Sequence, residues 1–194
     1  MQKLTRDDLY SLEEYAKVRK DFRGKVLEHK KNRKVHLGEN ATLYFEDRLT
    51  MQYQIQEMLR IEKIFEEEGI NEELDAYNPL IPDGSNLKCT FMIEFDDVAE
   101  RKDALAKMIG IEDKVWIQID GNDKVFAIAD EDLERDTEEK TSSVHFMRFE
   151  LTPDMVQAAK SGASLSMGID HDNYQQNLSP VPDNIRNALL EDLA

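Results

Sequence analysis

Apolar residues recur along this chain at two different periods, and the change between them falls near Asn86. Upstream the spacing is helical. Thr5 has the chemistry of a helix cap, Asp7 and Asp8 follow in the positively polarised first turn, and Leu4 and Leu9 take the two positions of a hydrophobic staple. Leu9, Leu12 and Ala16 then predict a first helix to about Arg19. A second helix, over residues 21–33, sets Phe22, Val26, His29 and Arg33 on one stripe, so two of its inward positions are ionisable. Residues 35–37 and 41–45 flank Gly38-Glu39-Asn40 and predict a small hairpin.

The longest helical pattern runs over residues 48–65. At 100° per residue it gathers Met51, Ile55, Met58, Leu59, Ile61 and Phe65 on one broad face. Glu62 projects into that face between Met51 and Ile55, and Gln54 falls between Ile61 and Phe65. A carboxylate among apolar neighbours is costly unless it is paired or protonated. Glu62 is therefore expected to escape to water or to meet Arg33, His29 or Arg48 in a buried polar network. The sharper alternative is a carboxylate of raised pKa or a metal ligand. Gly69 is expected to end this helix and Asn71 to cap a short one after it, before a loop with two prolines and an Asp-Gly pair.

Beyond residue 86 the period is two. Cys89, Phe91, Ile93 and Phe95 share one face of a strand. A helix follows over residues 97–108, then a hairpin of residues 114–120 and 124–129 across Gly121-Asn122-Asp123. Trp116 points away from Val115, Ile117 and Ile119, either covering a helix or marking a binding face. Residues 143–151 and 163–171 alternate again, with His145 and His171 on the apolar parity of their strands. Thr152-Pro153 starts the helix between them, and a last helix spans residues 183–193. The expected class is α+β: a helical part with a small hairpin (1–86), then a mostly antiparallel five-stranded sheet flanked by helices (87–194), either as two parts or as one compact unit.

Charge narrows the functional classes. A net charge of −16 argues against non-specific nucleic-acid binding, which depends on displacing counterions with positive charge. The exception is residues 17–34, with nine basic residues against two acidic ones: either a helix face paired with acidic helices of the same chain, or an anion or partner patch. Residues 130–139 hold seven acids and one arginine without the spacing or central glycine of a calcium loop, so a solvated segment is expected. No apolar run reaches membrane length and no signal-like pattern opens the chain, so the expected location is cytoplasmic. Cys89 is the single cysteine, which excludes internal disulfides and multi-cysteine metal sites; on an apolar strand face it is expected to act as a small hydrophobe.

Candidate chemistry is sparse. There is no nucleophile elbow, no phosphate-binding glycine loop and no Glu-x-x-His pair. If the strands of His145 and His171 are antiparallel neighbours, the imidazoles meet at one end of a sheet; a parallel crossover sends them to opposite ends. Asp170, His171, Asp172 and Tyr174 form the densest local set of ligand types, a divalent-metal candidate weighed against a solvated turn.

The segments ENATLYFEDRLTMQYQIQEMLRIEKIF, EELDAYNPLIPDGSNLK and IADEDLERDTEEKTSSVHFMRFEL, with GIDH after them, resemble a bacterial family known only as a domain of unknown function. The resemblance spans essentially the whole chain. It implies genes set beside rubrerythrin-like proteins and iron–sulfur oxidoreductases, hence an accessory place in redox or peroxide defence, and it transfers no catalytic residue. Three expectations follow. The first is a non-enzymatic accessory or interaction protein that works with a redox partner, as a monomer or a homodimer. The second is a metal-dependent enzyme using Glu62, or His145 with His171, Asp170 and Asp172. The third is a binder of anions or small ligands using Arg33, Arg48 and the basic helix.

Overall fold

The computed structural model describes residues 2–194. Thr5 does act as a cap, but only of a single 3-10 turn, Arg6–Asp8, where its backbone N–H and hydroxyl both engage Asp8. The first full helix, α1, is Leu12–Lys30, opened by a Ser11–Glu14 capping box. It is one helix where the pattern suggests two. Gly24 sits in open space on it, which weakens the helix by roughly 1 kcal/mol but does not break it.

Strands β1 (Lys34–His36) and β2 (Ala41–Phe45) form the expected hairpin, with Gly38 at φ 77° in its turn. Helix α2 (Arg48–Glu62) is capped by Asp47, whose side chain accepts from Thr50 N, and it stops at Lys63 in the left-handed conformation. Gly69 lies inside helix α3 (Glu67–Tyr77) rather than ending α2. Leu4, Leu9, Met51, Ile55, Leu59, Ile70, Leu74 and Ile81 close a small apolar core among these elements.

Downstream come β3 (Asn86–Ile93), α4 (Val98–Lys107), β4 (Val115–Ile119), β5 (Val125–Phe126), β6 (Ile128–Ala129), β7 (Val144–Glu150), α5 (Pro153–Lys160), β8 (Leu165–His171), β9 (Tyr174–Leu178) and α6 (Asp183–Leu190). The class is α+β and the strand pairings are antiparallel, but the strands form two sheets. One has the order β1-β2-β3-β7-β6, the other β5-β4-β8-β9. The five-stranded sheet thus takes two strands from the N-terminal hairpin, with Phe45 opposite Cys89 and Ala41 opposite Ile93, and it crosses position 86. The expected second strand of the Gly121 hairpin is split. Val125–Phe126 pairs with β4, and two residues later Ile128–Ala129 pairs with β7, so this short segment passes from one sheet to the other.

Alternation explains the packing. The inward residues of the first sheet (Leu43, Cys89, Phe91, Met147, Phe149) and those of the second (Val115, Ile117, Met167, Ile169) belong to one buried cluster, completed by Leu105, Val156 and Leu189 from α4, α5 and α6. Burying each large apolar side chain contributes on the order of 1.5–3 kcal/mol before chain entropy is counted. Trp116 does not mark an open face. It is buried over Gly168, where any Cβ would meet its ring at 2.4 Å, and its indole N–H donates to Asp170 Oδ1 at 2.9 Å. No helix among the described residues is long and apolar enough to cross a membrane.

Candidate functional site

The residues singled out from sequence separate into three places. His29 on α1 and Arg33 just beyond it both meet Asp47, the cap of α2, and Arg33 also meets Asp192 of the C-terminal segment. Arg33 Nη1 and Nη2 donate to the two oxygens of Asp192 at 2.9 and 2.5 Å, its Nε lies 2.9 Å from Asp47 Oδ2, and His29 Nε2 lies 2.5 Å from the same oxygen. Arg33 is only 2% exposed. Burial pushes Asp192 up to about 7, with Arg33 opposing and Asp47 adding to the rise, while Arg33, the Thr50 N–H and His29 overcome burial to hold Asp47 low.

Glu62 does not join this network. It is exposed at the last turn of α2, because the helix unwinds at Lys63 and its end overhangs the small core. Ile61 and Phe65 overhang with it, at 60% and 72% exposure. Arg48 lies elsewhere, paired with Asp8 at 2.5 Å. The guanidinium of Arg33 is thus engaged with carboxylates of its own chain, and so is that of Arg48.

The second place is the turn between β8 and β9. His171 Nε2 lies 3.1 Å from the Ile109 carbonyl and its Nδ1 accepts from Asn173 N, so both ring nitrogens are occupied locally. Asp170 points the other way, to Trp116 Nε1 and to Lys124 Nζ at 2.7 Å, and Asp172 is exposed. His145 lies on β7 and His171 on β8, in different sheets, so no shared ladder brings the imidazoles together. Sequence alternation did not foresee β9, a polar and mostly exposed edge strand.

The third place is around His145 itself. Its parity with Met147 and Phe149 turns the ring inward at the start of β7, where it is fully buried. Asp130, directly after β6, adopts φ 52°, in the left-handed region that Asp tolerates better than most residues. That conformation lets its N–H bond the Phe146 carbonyl while Oδ1 accepts from Phe146 N and Arg135, and Oδ2 reaches His145 Nδ1 at 2.6 Å. A carboxylate with these donors is an acceptor, so Nδ1 carries the proton toward it and Nε2 faces the opposite side.

On that side Glu112 Oε2 lies 3.9 Å and Asp136 Oδ1 4.0 Å from Nε2, and one atom of each of the three residues falls within 4.8 Å of the others. Glu112 comes from the 3-10 turn Ile111–Lys114, which follows Gly110 at φ 80°. Asp136 comes from the acidic segment, held by Gly110 N at 3.1 Å and by the Thr141 hydroxyl at 2.5 Å. Thr141 Oγ1 and the Ser142 carbonyl lie 2.9 and 3.1 Å from Nε2. Burial pushes Glu112 up to about 7, and the neighbouring Asp136 charge adds to the rise. Asp136 stays low despite burial, because the Thr141 hydroxyl and the Gly110 N–H stabilise its anion.

This constellation joins His145 to residues that sequence reasoning did not select. The segment of residues 130–139 was read as a solvated stretch, and it does lack calcium-loop spacing. Its proximity to the inward-facing His145 was the available signal. Glu112 had none, since it arrives from a separate turn.

Residues 3–193 match the family described as protein of unknown function (DUF3501), and the chain belongs to that family. It is similar, at 52% identity, to a protein from Burkholderia pseudomallei K96243 whose crystal structure is described as that of a novel protein of unknown function. That likeness covers 100% of both chains with a TM-score of 0.94. No curated protein matches the chain.

Proposed function

We propose that this DUF3501 protein binds one divalent first-row metal ion at Glu112, Asp136 and His145. A charge imbalance carries the reading. Two carboxylates face Nε2 of a fully buried imidazole, and among the described residues no Lys or Arg pairs with either. Separations of 3.9 and 4.0 Å can be spanned by an ion with bonds of roughly 2.0–2.2 Å. Thr141 Oγ1 and the Ser142 carbonyl would supply further oxygen donors. One imidazole among oxygen ligands suits Mn²⁺, Fe²⁺ or Zn²⁺. Asp130 on Nδ1 supplies the outer carboxylate that orients a ligating histidine. Such an ion would tie the acidic segment to the sandwich and could polarise the oxygen of a bound molecule, as a metal-dependent enzyme requires.

The direct test is elemental analysis of protein purified without chelator and loaded with each ion in turn. One equivalent per chain is expected, lost in Glu112→Gln and Asp136→Asn, which keep side-chain size and so keep the fold. Absence of a stoichiometric ion under all three loadings would refute the reading.

A second reading, an accessory protein with a protein partner, is favoured by a separate observation. Phe65, 72% exposed, lines a groove of about 310 Å³ together with Tyr10, Leu12, Leu59, Ile64 and Ile70 and the polar Arg6, Ser11 and Glu13, and Ile61 stands exposed on the preceding turn. Large apolar side chains at the rim of a groove are typical of docking sites. The family resemblance points to a redox protein as the partner, and a second copy of this chain is the alternative. Cys89 is no candidate for the redox element itself, since burial raises its thiol well above the usual range. Pull-down with wild-type protein and with Phe65→Ser, beside sedimentation of the free chain, separates these cases. Equal capture by both proteins, with a monomer in solution, would end this reading.

A further inference from the structure

A chain with a net charge of −16 is expected to repel anions over most of its surface, yet a cleft of about 360 Å³ is lined by four cationic side chains and by no Asp or Glu. Its walls carry Arg101 and Lys102 from α4, and Arg135, Lys140, Thr141 and Ser143 from the segment leading into β7. Arg135 is held by Asp130 and Asp132. Among the described residues the other three cations have no carboxylate partner. Arg101 reaches only the Phe95 carbonyl, at 3.4 Å, and Lys102 and Lys140 are exposed without an ion pair. Some cations elsewhere are paired, Lys107 with Asp103, Lys124 with Asp170, and Arg148 with Glu131 and Glu150. Others, such as the exposed Lys17, Lys20 and Lys25 of α1, are not paired among the described residues. What marks this cleft is that three unpaired cations share one concavity.

Three unmatched cations around one concavity repel one another, so their placement costs free energy that a bound anion would return. The arginine offers a planar fork suited to two oxygens of one group, and the lysines offer mobile point charges. The volume exceeds that of a single oxyanion and falls in the range of small-molecule pockets.

We propose that this cleft binds a phosphate-bearing small molecule through Arg101, Lys102 and Lys140. The inference rests on the cations of the cleft and not on the metal reading. The two sites adjoin at Thr141, which lines the cleft while its hydroxyl contacts Asp136 and His145. A phosphate held here would therefore lie next to the candidate metal site, separated from it by Thr141, and phosphorylated compounds would be the substrate class to try there first.

Isothermal titration of the full chain with inorganic phosphate, pyrophosphate and AMP tests the cleft alone when EDTA is present throughout. Saturable binding of at least one probe is expected. The Lys102→Ala/Lys140→Ala double variant should weaken it by about tenfold or more, because charge-assisted hydrogen bonds are lost. Both positions are exposed, so the fold should survive, and Lys17→Ala on the basic face of α1 should leave binding unchanged. Preference for AMP or pyrophosphate over phosphate would identify a phosphorylated compound; preference for phosphate would identify the free ion. Absence of saturable binding by all three probes, or binding equal in the double variant, would overturn the proposal.

Discussion

The protein buries two clusters of ionisable side chains, and they are built on opposite plans. In the cluster of Arg33, His29, Asp47 and Asp192, a guanidinium and an imidazole answer two carboxylates, and the guanidinium bonds to both of them. It joins the end of α1, the cap of α2 and the C-terminal segment, which is a task of tertiary attachment. In the cluster of His145, Glu112, Asp136 and Asp130, one imidazole faces three carboxylates, and Arg135 reaches only Asp130. A network that satisfies its own charges is explained by folding. A cluster left with excess negative charge beside a cleft lined with cations is explained by what it binds.

That contrast is broken or sharpened most strongly at Arg33. Arg33→Ala leaves two buried carboxylates without their guanidinium and should cost about 3–5 kcal/mol, read from urea denaturation. A cost below 1 kcal/mol would place this cluster with the other one. In the His145 cluster the corresponding effect comes from adding a ligand. Mn²⁺ or Zn²⁺ at one hundred times its dissociation constant should stabilise the chain by about 2.7 kcal/mol, and Glu112→Gln should remove the response.

A third site, where two arginines answer one carboxylate, gives the pH test. Glu57 receives Arg19 Nε at 2.8 Å, Arg60 Nη2 at 3.0 Å and the Tyr15 hydroxyl at 2.8 Å, and hydrogen bonding to Arg19 leads the causes that bring its pKa down to about 2. A carboxylate lowered in the folded state contributes stability above its unfolded value of 4.5, and that contribution is lost as pH falls toward 2. Glu57→Gln should therefore cost on the order of 2 kcal/mol at pH 7 and converge with wild type near pH 2, measured by denaturation across pH. A pH-independent difference would show that packing, not charge, is what the substitution removes. The smallest effect belongs to Glu112→Gln without metal, within about 0.5 kcal/mol of wild type, since it removes a carboxylate that has no cationic partner. A loss as large as that of Arg33→Ala would make both clusters structural.

Legibility followed the range of the interactions. The hairpin at Gly38, the strand of Cys89 and the inward turn of His145 could be read because alternation is local. The merging of two expected helices into α1 was hidden, since the apolar stripe of Leu9, Leu12 and Ala16 and that of Phe22, Val26 and His29 read as separate faces although the backbone runs unbroken from Leu12 to Lys30. Strand β9 has no apolar alternation: only its end residues Tyr174 and Leu178 pack on the core, and the polar residues between them are placed by the backbone ladder with β8. Glu62 takes the first of its two expected courses and escapes to water, because the end of α2 has no covering partner of the kind a helical wheel assumes at every turn. At the candidate site His145 was legible and its partners were not. Glu112 and Asp130 are brought to it from two different turns by sheet pairing and a left-handed residue, neither of which leaves a spacing rule in the sequence.

Titration of the chain with Mn²⁺ followed by electron paramagnetic resonance would decide whether the His145 cluster is a ligand site, because the six-line signal of the aqueous ion disappears on binding. Loss of one equivalent of signal in wild type, and not in Glu112→Gln or Asp136→Asn of unchanged stability, is the expected result. A signal that rises with added ion as it does in buffer, with Zn²⁺ and Fe²⁺ equally without effect on stability, would contradict it and return Glu112, Asp136 and His145 to the structural networks.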